Sequence, residues 1–260
     1  MMMLLGVVNL LSLSCGFGEQ QAGQPPAHDP PAEIIVAAAA NLTGAFQEIG
    51  NAFSGETGIK VIYNFGATTQ LTQQIKNGAP FDVFAAADVF HVDQLVENGK
   101  IVGESRAVYA RGRLALWVPD GGKLTIRDLA DLVQPAVRII AIANPEIAPY
   151  GAAAVEALKK QSLWEKVESK FVRAENVNAA KQLAATGNAE AAFTAYSLVL
   201  NDPGKIILIA ESLHSPLDQA IGVVAASSRQ ESARRFEEFI LHGGGRAILQ
   251  RFGYGLPTSP

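Results

Sequence analysis

The sequence predicts an α/β protein of two lobes, and three observations carry that prediction. From Glu33 onward, short β-rich runs alternate with amphipathic helical patterns, the order expected of parallel α/β units. At 260 residues and 48% hydrophobic, the chain can bury a sizeable core, in one large domain or two lobes. Four junctions share one design, an apolar run broken by small or polar residues before a helical pattern: AAAANLT, FGATTQL, APYGAAA and AENVNAA. Two fall early and two in the middle. Ligands of open α/β sheets sit outside the carboxyl ends of strands, so this distribution suits a cleft between lobes.

The elements follow in order. EIIVAAA reads as a strand, and LTGAFQEIGNAF as a helix with Leu42, Ala45, Phe46, Ile49 and Phe53 on one stripe. KVIYNF is the next strand and TTQLTQQIKNG the next helix; FDVFAAAD, RLALWVP and RIIAIANP read as strands, with helices expected over 92–99 and over TIRDLADLV. YGAAAVEALKKQSLWEKV reads as one long helix, followed by strand KFVRAE, helix NVNAAKQLAATG and strand AAFTAYS. KIILIA and AIGVVAAS are strands, and ESARRFEEFILHG and GRAILQRFG close the chain as helices. Gly58, Pro80, Pro145 and the glycines at 243–245 fall between elements, where they end helices or turn the chain.

Residues 1–32 read separately, as a signal peptide and disordered linker. MMMLLGVVNLLSLSCGFG is an apolar run of signal-peptide length, and EQQAGQPPAHDPPAE is low in complexity. The usual positive segment is missing, since the first Lys or Arg is Lys60. Cys15, the only cysteine, stands where a lipid anchor would be attached; it reads equally as a residue lost with the signal. No later stretch has the roughly 18 continuous apolar residues of a membrane span.

The junction residues Ala40, Asn41, Thr68, Tyr150 and Val177 bring backbone N–H groups at helix starts, together with an amide and a hydroxyl. Such groups converging on one point would hold an anion by dipoles alone. Asn41 precedes the first residue of an apolar stripe and reads both as a helix N-cap and as a donor into the cleft. Thr68 can offer hydroxyl and backbone N–H together. Tyr150 reads as a loop aromatic or, with Gly151 allowing close approach, as a backbone donor. Val177 can give only its N–H. Tyr196 could offer a hydroxyl.

A formal net charge of -4 and 18% charged residues exclude a polyanion-wrapping role, so nucleic acid is not an expected partner. His28, His91, His214 and His242 lie in unrelated contexts without metal-ligand spacing, and no direct metal ligands are expected. HGGG at 242–245 lacks a nucleophile elbow and reads as a helix stop. Glu237 and Glu238 read as solvated carboxylates, and Asp88 as a helix cap. No catalytic residue is expected.

On these residues, and on QIKNGAPFDVFAAAD, NPEIAPYGAAAVEAL, GNAEAAF and RFGYGLP, the chain resembles the molybdate-binding extracytoplasmic solute receptors of ABC importers. The resemblance spans nearly everything from Glu33 to Pro257. It implies a two-lobe periplasmic-binding-protein fold of type II with two hinge crossovers, near Arg111 and Ile221. Residues 33–111 plus 222–260 would form lobe 1, and 112–221 lobe 2. It also implies an oxyanion, molybdate or tungstate, held by neutral donors at Ala40, Asn41, Thr68, Tyr150 and Val177. In some members a tyrosine hydroxyl also contributes; that position is Ala195 here, with Tyr196 one residue off. The resemblance further implies a monomer that needs no cofactor, located in the periplasm or otherwise outside the cytoplasm, serving an ABC permease with its ATPase. A receptor for sulfate, phosphate or an organic anion is an alternative, and an enzyme acting on a small anionic substrate is another.

Overall fold

A computed structural model describes residues 33–121 and 124–257; the expected signal peptide and linker, Cys15 included, lie outside them. Ten strands occur among the described residues: β1 (Glu33–Ala39), β2 (Lys60–Gly66), β3 (Val83–Ala85), β4 (Ala107–Arg111), β5 (Leu114–Pro119), β6 (Ile140–Ala143), β7 (Phe171–Ala174), β8 (Ala191–Ala195), β9 (Gly204–Leu208) and β10 (Asp218–Val223). The helices are α1 (Thr43–Thr57), α2 (Thr68–Lys76), α3 (Phe90–Glu97), α4 (Pro149–Lys160), α5 (Trp164–Val167), α6 (Val177–Ala185), α7 (Tyr196–Val199), α8 (Gln230–Leu241) and α9 (Gly244–Arg251).

The strands form two five-stranded sheets, in the orders β2-β1-β3-β10-β4 and β7-β6-β8-β5-β9. Each sheet has a parallel half. In the first, β1 pairs parallel to β2 and β3; in the second, β6 pairs parallel to β7 and β8. Each is then extended by antiparallel pairing, through β10 in the first and β5 in the second. The result is the mixed two-lobe α/β architecture.

The chain passes from the first sheet to the second at Gly112 and Arg113, between β4 and β5. The return differs from expectation. Ile221 and Gly222 lie inside β10, paired with Ala85 and Phe84 of β3, so the return to the first sheet precedes Asp218. The sequence signal there is weak because β10 opens on the polar pair Asp218–Gln219. The two crossings are stitched together: Gly112 N–H donates to Leu217 O at 2.9 Å, and the Arg111 guanidinium grips the Asp218 carboxylate at 2.6 and 3.0 Å.

Helix α1 buries Ala45, Phe46, Ile49 and Phe53 on one stripe and stops at Gly58, whose φ of 73° suits glycine. That stripe meets α8, with Phe53 and Phe236 edge to face at 5.2 Å. The helix expected over 125–133 shrinks to a 3₁₀ turn at Leu129–Val133, capped by the Asp128 carboxylate. The long helix expected over 150–167 ends at Lys160, and Ser162 takes φ 54°, a left-handed turn that separates it from α5. Strand β4 carries no clean alternation and is an element the sequence reading missed. No described helix is long and apolar enough to cross a membrane.

Candidate functional site

The four junctions meet. Ala39, Ala40 and Asn41 after β1, Gly66 to Thr68 after β2, and Ala87 after β3 form one wall of a cleft. Ala148 to Tyr150 after β6, and Asn176 and Val177 after β7, form the other. The cleft leaves only about 10 Å³ open to a water-sized sphere, far below the roughly 300–1,000 Å³ of pockets that take drug-sized ligands. All five residues expected at the site lie on it and are at most 4% exposed.

Their backbone N–H groups are aimed by local structure. Ala40 and Asn41 lie in a 3₁₀ turn, Ala40–Leu42, that leads into α1. Thr68 and Val177 open α2 and α6, while Tyr150 follows Pro149 at the start of α4. First-turn N–H groups have no partner inside their own helix. At α4 the Gly151 and Ala152 N–H groups both donate to Ala148 O, and at α6 the Asn176 side chain takes the Ala179 N–H at 2.9 Å. The N–H groups of Ala40, Asn41, Thr68, Tyr150 and Val177 meet no acceptor among the described residues. Gly151 makes the approach of α4 possible, because a Cβ there would collide with Ala143 O at the end of β6.

Thr68 is set up as a donor. Its Oγ1 accepts the Ala87 N–H at 3.2 Å, which leaves the hydroxyl proton for another partner. Asn41 departs from expectation. It is not an N-cap, because the cap positions Ala39 and Leu42 carry no side-chain bond, and Asn41 itself lies within the 3₁₀ turn. Its Nδ2 points into the core and donates to Gln219 Oε1 and to Tyr254 Oη, each at 3.0 Å. Its Oδ1 is buried without a partner. The side-chain amide therefore does not face the cleft as a donor in this arrangement.

Tyr196 stands outside the cleft-lining set; its ring packs against the Arg113 guanidinium, 4.9 Å from the ring centre, and against Gly253. Its neighbour Ser197 reaches across instead, its Oγ donating to Asn41 O at 2.9 Å. A second cross-lobe bond joins Thr69 N–H to Ile147 O at 3.3 Å.

Every residue lining the cleft is uncharged. The nearest ionisable pair is one sequence reading left unconnected: His91 Nδ1 lies 2.8 Å from the Asp88 carboxylate, and its Nε2 lies 3.0 Å from Thr69 Oγ1. Carboxylate, imidazole and hydroxyl follow in the order of a hydrolase relay, but Thr69 is not among the lining residues. The set ties α2 to the start of α3, where Asp88 also caps the His91 N–H. Behind Asn41, burial pushes the phenols of Tyr109, Tyr150 and Tyr254 well above their ordinary range, so they stay neutral. Among the described residues no cluster of three or more His, Cys, Asp or Glu could hold a metal ion.

Fold and cleft together define a solute-binding protein: two α/β lobes with helix N-termini facing a small enclosed space. The model of bacterial extracellular solute-binding proteins matches residues 34–255, and the chain belongs to that family. Among its relatives, the molybdate-binding protein of Azotobacter vinelandii is 38% identical over 230 residues, covering 86% of this chain and 90% of the relative. That of Rhodobacter capsulatus is 35% identical over 223 residues, covering 85% and 88%. The solved structure of the Azotobacter vinelandii periplasmic molybdate-binding protein superposes with a TM-score of 0.83 at 29% identity, over 86% of this chain and all of that one.

Proposed function

We propose that this chain is a receptor that captures molybdate or tungstate outside the cytoplasm and hands it to an ABC permease and its ATPase. The observation that carries the reading is the convergence of unpartnered N–H groups from four strand-to-helix junctions, two in each lobe, on one uncharged cleft. Ala40, Asn41, Thr68, Tyr150 and Val177 would donate from the backbone, and Thr68 also from its hydroxyl. Each charge-assisted hydrogen bond in such a site contributes roughly 1.5–3 kcal/mol. No counter-charge is needed, because helix-start dipoles in a water-poor cleft supply the attraction. Names of relatives at 35% and 38% identity support molybdate as the ligand.

No reacting step is assigned to the chain: the cleft offers donors, and no His, Lys, Cys, Asp or Glu stands on its walls beside the Thr68 hydroxyl. Lobe closure over the anion, with the crossings at Gly112 and before Asp218 as hinges, would complete capture. Calorimetric titration with molybdate, tungstate, sulfate and phosphate tests the proposal. Binding of the first two with clear preference is expected; no binding of either sinks it.

A further inference from the structure

Asn41 and Gln219 hold the one feature of the site wall that an anion receptor would not want. Asn41 turns its donor inward and leaves its carbonyl oxygen Oδ1 buried and unpaired on the side away from Gln219 and Tyr254. Gln219 is fully buried on β10 and joins both lobes: its Oε1 accepts from Asn41 Nδ2 and from Tyr109 Oη, each at 3.0 Å, and its Nε2 donates to Tyr150 Oη at 2.9 Å. In this arrangement the Tyr150 hydroxyl proton has no acceptor among the described residues.

We infer that Gln219 is a positioning residue that sets which end of the Asn41 carboxamide faces the cleft, and that the two amides turn over together when an oxyanion enters. The inference rests on the receptor reading above. A half-turn of both carboxamides keeps every atom position and exchanges donor for acceptor. Gln219 Nε2 then donates to Asn41 Oδ1 and to Tyr109 Oη, while Tyr109 passes its own proton to Ala86 O, already 3.1 Å away. Tyr150 donates to Gln219 Oε1, and Tyr254 moves its proton from Asn41 O to Asn41 Oδ1, then 3.0 Å away, while Ser197 still donates to Asn41 O. Every proton of the network finds an acceptor, and Asn41 Nδ2 is released toward the anion. Without an anion, that orientation would leave both Asn41 Nδ2 protons unpaired, whereas the inward one leaves Asn41 Oδ1 and the Tyr150 proton unpaired; an anion beside Asn41 tips the balance outward.

The pair also sets specificity. A carbonyl at the wall can take the proton of hydrogenphosphate, whereas an amide N–H₂ held there by Gln219 cannot. Gly112 leaves room for the link at the crossing, since a Cβ on it would overlap Tyr150 Oη and Gln219 Nε2.

The test is a double-mutant cycle read by titration with sodium molybdate, beside neutron diffraction of deuterium-exchanged crystals of the unsubstituted protein with and without molybdate. Gln219→Met, similar in size and without hydrogen bonds, is expected to weaken molybdate binding at least tenfold in the native background and less than threefold with Asn41→Ala. It should also narrow the preference for molybdate over hydrogenphosphate. A purely structural role for Gln219 gives equal losses in both backgrounds, and that overturns the inference. Neutron maps need no variant: deuterons on the outward atom of Asn41 in the loaded crystal support the turn, and deuterons still facing Gln219 overturn it. A native chain that binds no molybdate removes the receptor reading itself, a different result from either failure.

Discussion

At the scale of single residues, hydrogen-bond direction decides what the cleft can hold. Thr68 is committed at its oxygen by the Ala87 N–H, so its proton is the free part. Thr68→Ser is expected to keep molybdate affinity within about threefold, and Thr68→Val to lose roughly ten- to a hundredfold, since it removes a charge-assisted bond and strands the Ala87 N–H; titration calorimetry reads both. The meeting of Ala40, Thr68, Tyr150 and Val177 on one cleft was legible in the sequence because a helix start after a strand leaves N–H groups free wherever it occurs. The role of Asn41 was not. A local reading makes it a cap, whereas its amide is bound by Gln219 and Tyr254, 178 and 213 positions away. The link from Thr69 to His91 escaped for a related reason, since it joins two helices, α2 and α3, whereas Asp88 caps the His91 N–H as a local reading expects.

Among the elements, α8 carries a second departure. Glu237 reads as solvated on an amphipathic pattern, yet it is 7% exposed with Oε1 unpaired, and burial pushes its carboxyl up to about 7. The raised value means the folded protein holds a proton that the unfolded chain releases above its ordinary carboxylate range. The stability tied to that proton is present at acid pH and fades as pH rises toward 7 and above. Glu237→Gln should therefore raise stability by roughly 1–3 kcal/mol at pH 8, and by much less at pH 5. Thermal melts at the two values check this. Strong periodicity made α1, α4 and α6 readable. Strand β4 and the polar start of β10 were hidden because partner strands, not their own pattern, define them.

For the molecule as a whole, an uncharged site predicts an insensitive one. Between pH 6 and 9, and from 50 to 500 mM salt, molybdate affinity should change by less than about threefold, because no charged side chain lines the cleft, burial keeps the Tyr150 phenol neutral, and the bonds are short-ranged. A steep salt dependence in titration would contradict this. Closure should be written in kinetics. Ser197→Ala removes the bond from the second lobe to Asn41 O; a lost bond of about 1 kcal/mol predicts release roughly fivefold faster with little change in capture rate, measured by stopped-flow.

The strand order carries one more consequence, for synthesis. Every strand of the second sheet lies between Leu114 and Leu208, so that sheet can pair as soon as this stretch has emerged. The first sheet must wait, because β4 has no neighbour until β10 arrives to sit between it and β3. A nascent chain truncated before Asp218 would thus present one finished half and one with open edges. Pulse proteolysis of stalled chains should find the stretch from Leu114 to Leu208 protected first, and the earlier residues only after Val223 has cleared the ribosome.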